Sequence, residues 1–295
     1  MFGQKITKGA NAVVTGAGSG IGRAFAREIV RRGGQVVCAD ISLERAQETV
    51  GLIMDEVAGK LKNPDLVFLP KAWAVKCDVS KLTDVEKLAL RAEQLLGGSE
   101  QASAIDLVVN NAGVGAGGLP IGETSMDDWK WVLGVNLWGV IHGCHVFAPR
   151  LRARAKRRKC GIVNVASTAS FAAAPLMGAY NVTKAGALAL SETLAAELAG
   201  SGVSVTALCP TFVKTNITQD GRIAGGSSQL ANKIMALTGV EADGVAKQTL
   251  NALDKGQLYV LPQLDARLIW RAKRLMPRSY TRGAGLLGRL ASKTL

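Results

Sequence analysis

Tyr180 and Lys184 stand four residues apart in Gly178-Ala179-Tyr180-Asn181-Val182-Thr183-Lys184, and Ser167 lies thirteen residues upstream. On a helix this spacing stacks the phenol and the ammonium one turn apart on a single face. A cation beside a phenol favours the phenolate and draws its pKa down from about 10. A phenol tuned in that way is a general acid/base for an alcohol or a carbonyl. The same spacing also arises as plain surface decoration, so it signifies chemistry only if the rest of the chain supplies a site.

The elements that must position these groups follow from hydrophobic patterning. Short apolar runs predict strands near 11–15, 35–39, 72–77, 105–110, 161–166, 203–209 and 257–261. Amphipathic stretches predict helices over 20–32, 42–59, 82–96, 127–155, 178–199 and 241–255. Several strands, such as Gly161-Ile162-Val163-Asn164-Val165, are continuously apolar, as in a parallel sheet covered on both faces. The expected fold is therefore α/β: a Rossmann-like, doubly wound parallel sheet of about seven strands with helices on both faces. One domain is expected over 1–262, followed by a basic helical extension over 263–295, with surface insertions at 60–71 and 97–104.

Thr15-Gly16-Ala17-Gly18-Ser19-Gly20-Ile21-Gly22 joins the first strand to the first helix. Glycines there allow a tight turn and let backbone N–H groups approach a pyrophosphate at the helix N-terminus. Asp40 closes the second strand, where an acid suits the adenosine ribose hydroxyls and repels a 2′-phosphate. With Ala39, Ile41 and Ser19 uncharged, NAD is expected over NADP; the competing role for Asp40 is to cap the helix beginning near Ser42.

In unbroken order over about 10–260, these motifs resemble the short-chain dehydrogenase/reductase family. The match runs through Thr15-Gly16-x-x-x-Gly20-x-Gly22, Asp78-Val79, Asn110-Asn111-Ala112-Gly113, Asn136, Ser167, Tyr180-x-x-x-Lys184, and Pro210 with Thr215. The glycine spacing is similar to that of the short single-domain branch. The resemblance implies that Tyr180 exchanges the proton of the substrate oxygen, that Lys184 tunes it and binds the nicotinamide ribose, and that Ser167 hydrogen-bonds that oxygen. Asn136 would hold a water linking Lys184 to solvent. Gly16, Ser19, Gly20, Ile21, Gly22, Asp40, Asp78, Val79, Asn110, Gly113, Pro210, Val213 and Thr215 would bind the cofactor. The family commonly has Pro-Gly where this chain has Pro210-Thr211, which puts the local backbone geometry in question. A homodimer or homotetramer is implied, with 127–155 and 178–199 at the interfaces.

Apolar residues 171–177, Val114 and Phe212 are expected to wall the pocket, with no Arg or Lys among them, which points to a small hydrophobic secondary alcohol or its ketone. The segment 216–240 is expected to act as a lid hinged at Gly221 and Gly225-Gly226. Two other readings stay open: an NADPH-dependent 3-ketoacyl-thioester reductase and a non-catalytic dinucleotide-binding protein. His142 and His145 have no complementary cluster, and no metal is expected.

The formal net charge of +13 is concentrated in two places. Residues 150–159 carry seven basic side chains and no acid, and 264–295 carry eight against Asp265 alone, leaving the remainder near −1. The first patch is expected to be solvated, at the end of the sheet away from the site. The second has Leu264, Leu268, Ile269, Ala272, Leu275 and Met276 at helical spacing. It could pack on a neighbouring subunit or the pocket, or lie on an anionic membrane surface; nucleic acid is not expected. Five scattered cysteines without a C-x-x-C pair, no signal segment and no apolar run of about 18 residues suggest a cytoplasmic setting.

Overall fold

The computed structural model describes residues 5–59, 72–98, 103–215, 217, 221–224 and 227–292. Strands β1 (Asn11–Thr15), β2 (Gln35–Asp40), β3 (Ala72–Lys76), β4 (Leu107–Asn110), β6 (Cys160–Val165), β7 (Val203–Leu208) and β9 (Tyr259–Val260) form one sheet in the order β3-β2-β1-β4-β6-β7-β9. Every pairing in it is parallel. Two short strands, β5 (Ala116–Gly117) and β8 (Arg222–Ile223), make a separate parallel pair.

Consecutive apolar residues serve opposite faces of this sheet, which is why its strands do not alternate with polar ones. Val14, Val36, Val109 and Val163 face a core closed by α1 (Gly20–Arg31), α2 (Leu43–Ala58) and α9 (Ala242–Asp254), where Phe25, Ile29, Ile53 and Leu253 are buried. Val13, Val37, Val108 and Ile162 face the other core, closed by α3 (Leu82–Leu96), α5 (Gly139–Ala155) and α7 (Gly178–Glu197). The remaining helices are α4 (Met126–Leu133), the single turn α6 (Ala169–Ala172), α8 (Ser227–Thr238), α10 (Leu264–Leu275) and α11 (Pro277–Ser292).

The helix predicted over 127–155 is broken into α4 and α5 by a π-helical turn, Gly134–Trp138. The run Met126–Ala155 is long and apolar enough, by length and composition, to cross a membrane, although half of its most apolar window is buried in the protein. The strands expected at 105–110 and 257–261 shorten to β4 and β9, and α6, α8, β5 and β8 were not anticipated. Residues 60–71 and the hinge candidates Gly225-Gly226 lie outside the described residues. Gly221 is packed tightly: a Cβ there would lie 2.8 Å from the Gly115 carbonyl oxygen. Around it, Arg222 N and Ala224 N donate to Gly115 O and Gly117 O, so this part of the expected lid is pinned to β5.

The basic cluster 150–159 also differs from a purely solvated patch. Arg154 Nε lies 2.8 Å from Asp106 Oδ1 and Arg158 Nε lies 3.5 Å from Oδ2, while the Asp106 side chain is only 1% exposed. Two of the seven cations thus neutralise a buried carboxylate that also accepts from Asn11 N, tying α5 to the start of β1 and β4.

Candidate active site

The strand order reverses between β1 and β4, and the crevice outside the carboxyl ends of these strands is where a doubly wound sheet binds ligands. The glycine turn lies there. Gly16 has φ +62, and a Cβ on it would come within 2.7 Å of Ala112 Cα. On Gly22 a Cβ would meet Gly16 O at 2.0 Å, so strand and helix can touch only through glycine. Asn111 fixes the turn by donating from Nδ2 to Thr15 O and Gly16 O, and Thr15 Oγ1 accepts from the Asn111 and Ala112 amides. This clamp, within the quoted Asn-Asn-Ala-Gly motif, was not singled out from sequence.

At the start of α1, Ser19 makes no side-chain capping bond and no acid occupies the first turn. The helix N-terminus therefore presents uncapped amides with a partial positive charge, suited to a pyrophosphate. Ile21 is half-buried against the core beneath, and Thr215 sits over Gly20, whose Cβ would fall 2.8 Å from Thr215 Cγ2. Asp40 Oδ2 accepts from Gly18 N at 2.8 Å and Oδ1 from Ser42 N at 3.0 Å. An ionised carboxylate has about four acceptor positions, so two remain for ribose hydroxyls. The cap of α2 is Ser42 itself, which accepts from Arg45 N. Two basic residues that the sequence reading passed over flank this corner: Arg45, whose Cβ backs Gly18, and Arg23, which is engaged with Glu48, Thr49 and Gly18 O. The cradle therefore fits a dinucleotide.

Asp78 turns inward to accept from Ser80 N and Oγ, and Lys81 lies beside it. Burial opposes ionisation, but these bonds outweigh it and hold the carboxyl below its usual range. Val79 is buried at the same corner, and its carbonyl meets His142 Nδ1 at 2.9 Å. The other histidine, His145, is exposed. Asn110 needs a correction. Its side chain does not face the cleft but enters the core, donating to Asn164 Oδ1 at 2.8 Å, in a buried network with Cys144 and Ser191. Only its main chain is left for a cofactor. Pro210 O accepts from Thr168 N, and Val213 is buried in a bridge to Val240.

The four candidate catalytic residues converge. Val165 ends β6, Ser167 follows it, and Tyr180 and Lys184 occupy the first two turns of α7. The Ser167 hydroxyl accepts from Ala169 N at 3.1 Å and lies near enough to the Tyr180 phenol to favour its ionised form. Lys184 Nζ donates to Val165 O at 2.9 Å and lies 5.8 Å from the Tyr180 ring centroid. A Cβ on Gly113 would lie 3.2 Å from Asn136 Oδ1 and 3.4 Å from Lys184 Nζ, so Gly113 keeps these two side chains close to one point. Asn136 clamps the next residue, accepting from Val114 N at 2.8 Å and donating to Val114 O at 2.9 Å. One donor and one acceptor position of its amide are thereby engaged, and its main chain lies inside the π turn. Such turns disturb the helical ladder and are common at functional sites.

The electrostatics depart from the simplest expectation. Burial pushes the Tyr180 phenol above its ordinary value, opposed in part by the neighbouring Ser167 hydroxyl. The same dry surroundings lower Lys184 to about 8. Both shifts have the same leading cause, the removal of water from around the charged form.

The substrate side also differs in detail. Phe171 is not a wall residue: it is buried edge-on against Trp270 of α10, centroids 4.8 Å apart. Leu176 takes φ +63, a strained region for a branched side chain, with its carbonyl held by Gly118 N at 2.7 Å. Beside it lies a cavity of about 240 Å³ lined by Ala116, Leu119, Leu176, Ala179, Ile223 and Arg222 among others. Arg222 is the basic residue that the sequence did not place here, but Asp128 pairs with it at 2.9 Å and Trp131 stacks on it. Phe212 is 37% exposed.

Thr211, the departure from Pro-Gly, anchors the extension. Its Oγ1 donates to Asp265 Oδ1 at 3.0 Å, its N donates to Gln263 Oε1, and Gln263 Nε2 donates to Phe212 O. Farther on, Tyr280 OH donates to Ala172 O, and a Cβ on Gly288 would touch Pro175 at 2.8 Å. The extension thus covers its own chain's 171–175 segment.

A parallel doubly wound sheet with a glycine cradle and a Ser, Tyr and Lys cluster defines a dinucleotide-dependent class of oxidoreductase folds. The sequence pattern of the short chain dehydrogenases matches residues 10–224, and the chain belongs to that family. Among curated relatives, "Probable oxidoreductase EphD" of Mycobacterium tuberculosis is 32% identical over 92% of this chain, which spans only 44% of that protein's length. "1-deoxy-11-beta-hydroxypentalenate dehydrogenase" of Streptomyces exfoliatus is 32% identical over 91% of both chains. A solved short chain dehydrogenase/reductase from Burkholderia phymatum, in complex with NAD, superposes with TM-score 0.79 at 32% identity over 92% of this chain and 96% of that one.

Proposed function

We infer that this chain is an NAD-dependent dehydrogenase that interconverts a hydrophobic secondary alcohol and its ketone. The observation that carries the reading is the buried Tyr180, with the Ser167 hydroxyl near its phenol and the buried Lys184 one turn along the same helix, its Nζ held by Val165 O. A bound nicotinamide dinucleotide would supply the hydride acceptor or donor. Gly16, Ser19, Gly20, Ile21 and Gly22 would hold its pyrophosphate, Asp40 its adenosine ribose, Asp78 and Val79 its adenine, main-chain Asn110 and Gly113 would line the cleft, and Pro210, Val213 and Thr215 would take the nicotinamide end.

The protein's own part is proton handling. Ser167 orients the substrate oxygen, and Tyr180 takes its proton in oxidation or returns it in reduction. Lys184 stands ready to stabilise the phenolate as charge develops, and Asn136 fixes Val114 at the floor of the cleft. NAD is favoured over NADP because the Asp40 carboxylate, accepting from Gly18 N, stands where it would repel a 2′-phosphate, and the NAD complex of the Burkholderia relative supports that choice. The mostly apolar cavity and the Arg222 paired with Asp128 favour an uncharged substrate.

Trp138 and Val182 are 52% and 48% exposed on the 127–155 and 178–199 segments, which suits burial of these faces in a homodimer or homotetramer. All five cysteines are free and buried, in keeping with a reducing, cytoplasmic location. The test is a cofactor titration followed by turnover of a panel of neutral and carboxylated secondary alcohols. Tighter binding of NADP than NAD, or preferred turnover of the carboxylated compounds, overturns the corresponding part of the reading.

A further inference from the structure

Helix α10 has one face in the protein and one face in solvent. Ala266 is buried, and Ile269 and Trp270 pack into the cluster around Phe171. At about 100° per residue, Leu264, Leu268 and Leu275 fall within about 40° of one another on the opposite side. They are 69%, 56% and 79% exposed, and Met276, at the junction with α11, is 59% exposed. Arg271, Arg267 and Arg274 follow along one border of this stripe by the same geometry.

Arg267 and Arg271 also line a cavity of about 670 Å³ between α9, β9 and α10. Lys247 and Lys255 line it as well, together with the amides of Gln248, Asn251 and Gln257, and no carboxylate is among its lining residues. The neighbouring Glu192 is engaged by Tyr259 OH at 2.9 Å. An apolar stripe bordered by arginines and a cation-lined hollow is what an interfacial helix presents to anionic lipid. A second copy of this chain is a poorer occupant, because an isologous contact would set the two cationic borders against each other.

We propose that α10 docks this protein on an anionic phospholipid surface, its leucine stripe entering the headgroup region and the Lys247, Lys255, Arg267 and Arg271 hollow receiving phosphodiester groups. Because the contact lies apart from Tyr180, it can be tested without turnover. Full-length protein is sedimented with vesicles of phosphatidylcholine alone or mixed with phosphatidylglycerol, and its oligomeric state is measured by light scattering. Mixed vesicles should pellet the protein at least about tenfold better than neutral ones. L268S/L275S should weaken that partitioning by about tenfold or more while leaving thermal unfolding unchanged. K255Q/R271Q, which alters side chains with no internal bond assigned to them, should abolish the preference for anionic vesicles. Equal pelleting with both vesicle types, no pelleting at all, or an oligomer that L268S/L275S dissociates would overturn the proposal.

Discussion

Replacing Lys184 by methionine should make this protein more stable near neutral pH while abolishing its turnover. Lys184 is 3% exposed, and burial lowers its pKa from 10.5 to about 8. At about 1.4 kcal/mol per pKa unit, keeping the charge in the folded state costs about 3 kcal/mol wherever both states are protonated. Methionine fills a similar volume without charge. It forfeits the bond to Val165 O, worth about 1 kcal/mol net, so a gain of about 2 kcal/mol remains.

The pH dependence gives this its sign. Below pH 8 the lysine carries its proton in both states and the full penalty applies. Between about 8 and 10.5 the folded state has released the proton while the unfolded chain retains it, so wild-type stability rises with pH. The advantage of Lys184→Met should therefore be largest near pH 7, shrink across that window, and give way to a small deficit above it. Denaturant unfolding of both proteins at several pH values reads this difference directly. A variant less stable than wild type near pH 7, or a difference that does not change with pH, would refute the account of a cation held in the site against its own desolvation.

Asp106→Ala should destabilise the fold by about 3 kcal/mol in denaturant unfolding, because it leaves Arg154 and Arg158 without their buried partner. Loss below about 0.5 kcal/mol would show that the cluster is merely solvated. Thr211→Gly should remove the bond to Asp265 and speed amide exchange in α10 about fivefold, with the sheet unaffected. Asp40→Ala should weaken NAD binding about tenfold and narrow the difference from NADP, as read by fluorescence titration; unchanged affinity for both would remove Asp40 from the site.

The sheet was legible because its strands are continuously apolar and its turns are marked by glycine, as at Gly16 and Gly22. The convergence of Ser167, Tyr180 and Lys184 was legible because two of them share one helix and the third follows the strand beside it. What escaped has specific causes. Local periodicity does not distinguish a π turn from an α turn, so Gly134–Trp138 read as helix. Asn110 was placed in the cofactor cleft by the family resemblance of its Asn-Asn-Ala-Gly motif. Strand parity puts it on the Val108 side, opposite Asn164, where the two amides satisfy each other. Asp106, Arg154 and Arg158 meet only through long-range packing, so a charge run concealed a structural clamp. Phe171 found Trp270 of the extension, a contact between residues ninety-nine positions apart that no spacing rule announces. The phenol and the ammonium do share one end of α7, but burial acts against the charged form of both, and sequence does not reveal how dry a site is.

The central claim is that Tyr180 carries the proton of the reacting alcohol, and it is tested most directly by the formation of reduced cofactor in wild type and Tyr180→Phe under identical conditions. The phenylalanine ring fills the same buried space, so folding and NAD binding should persist while turnover falls by about 10²-fold or more. Turnover within a few-fold of wild type in the correctly folded, NAD-binding variant would contradict the account.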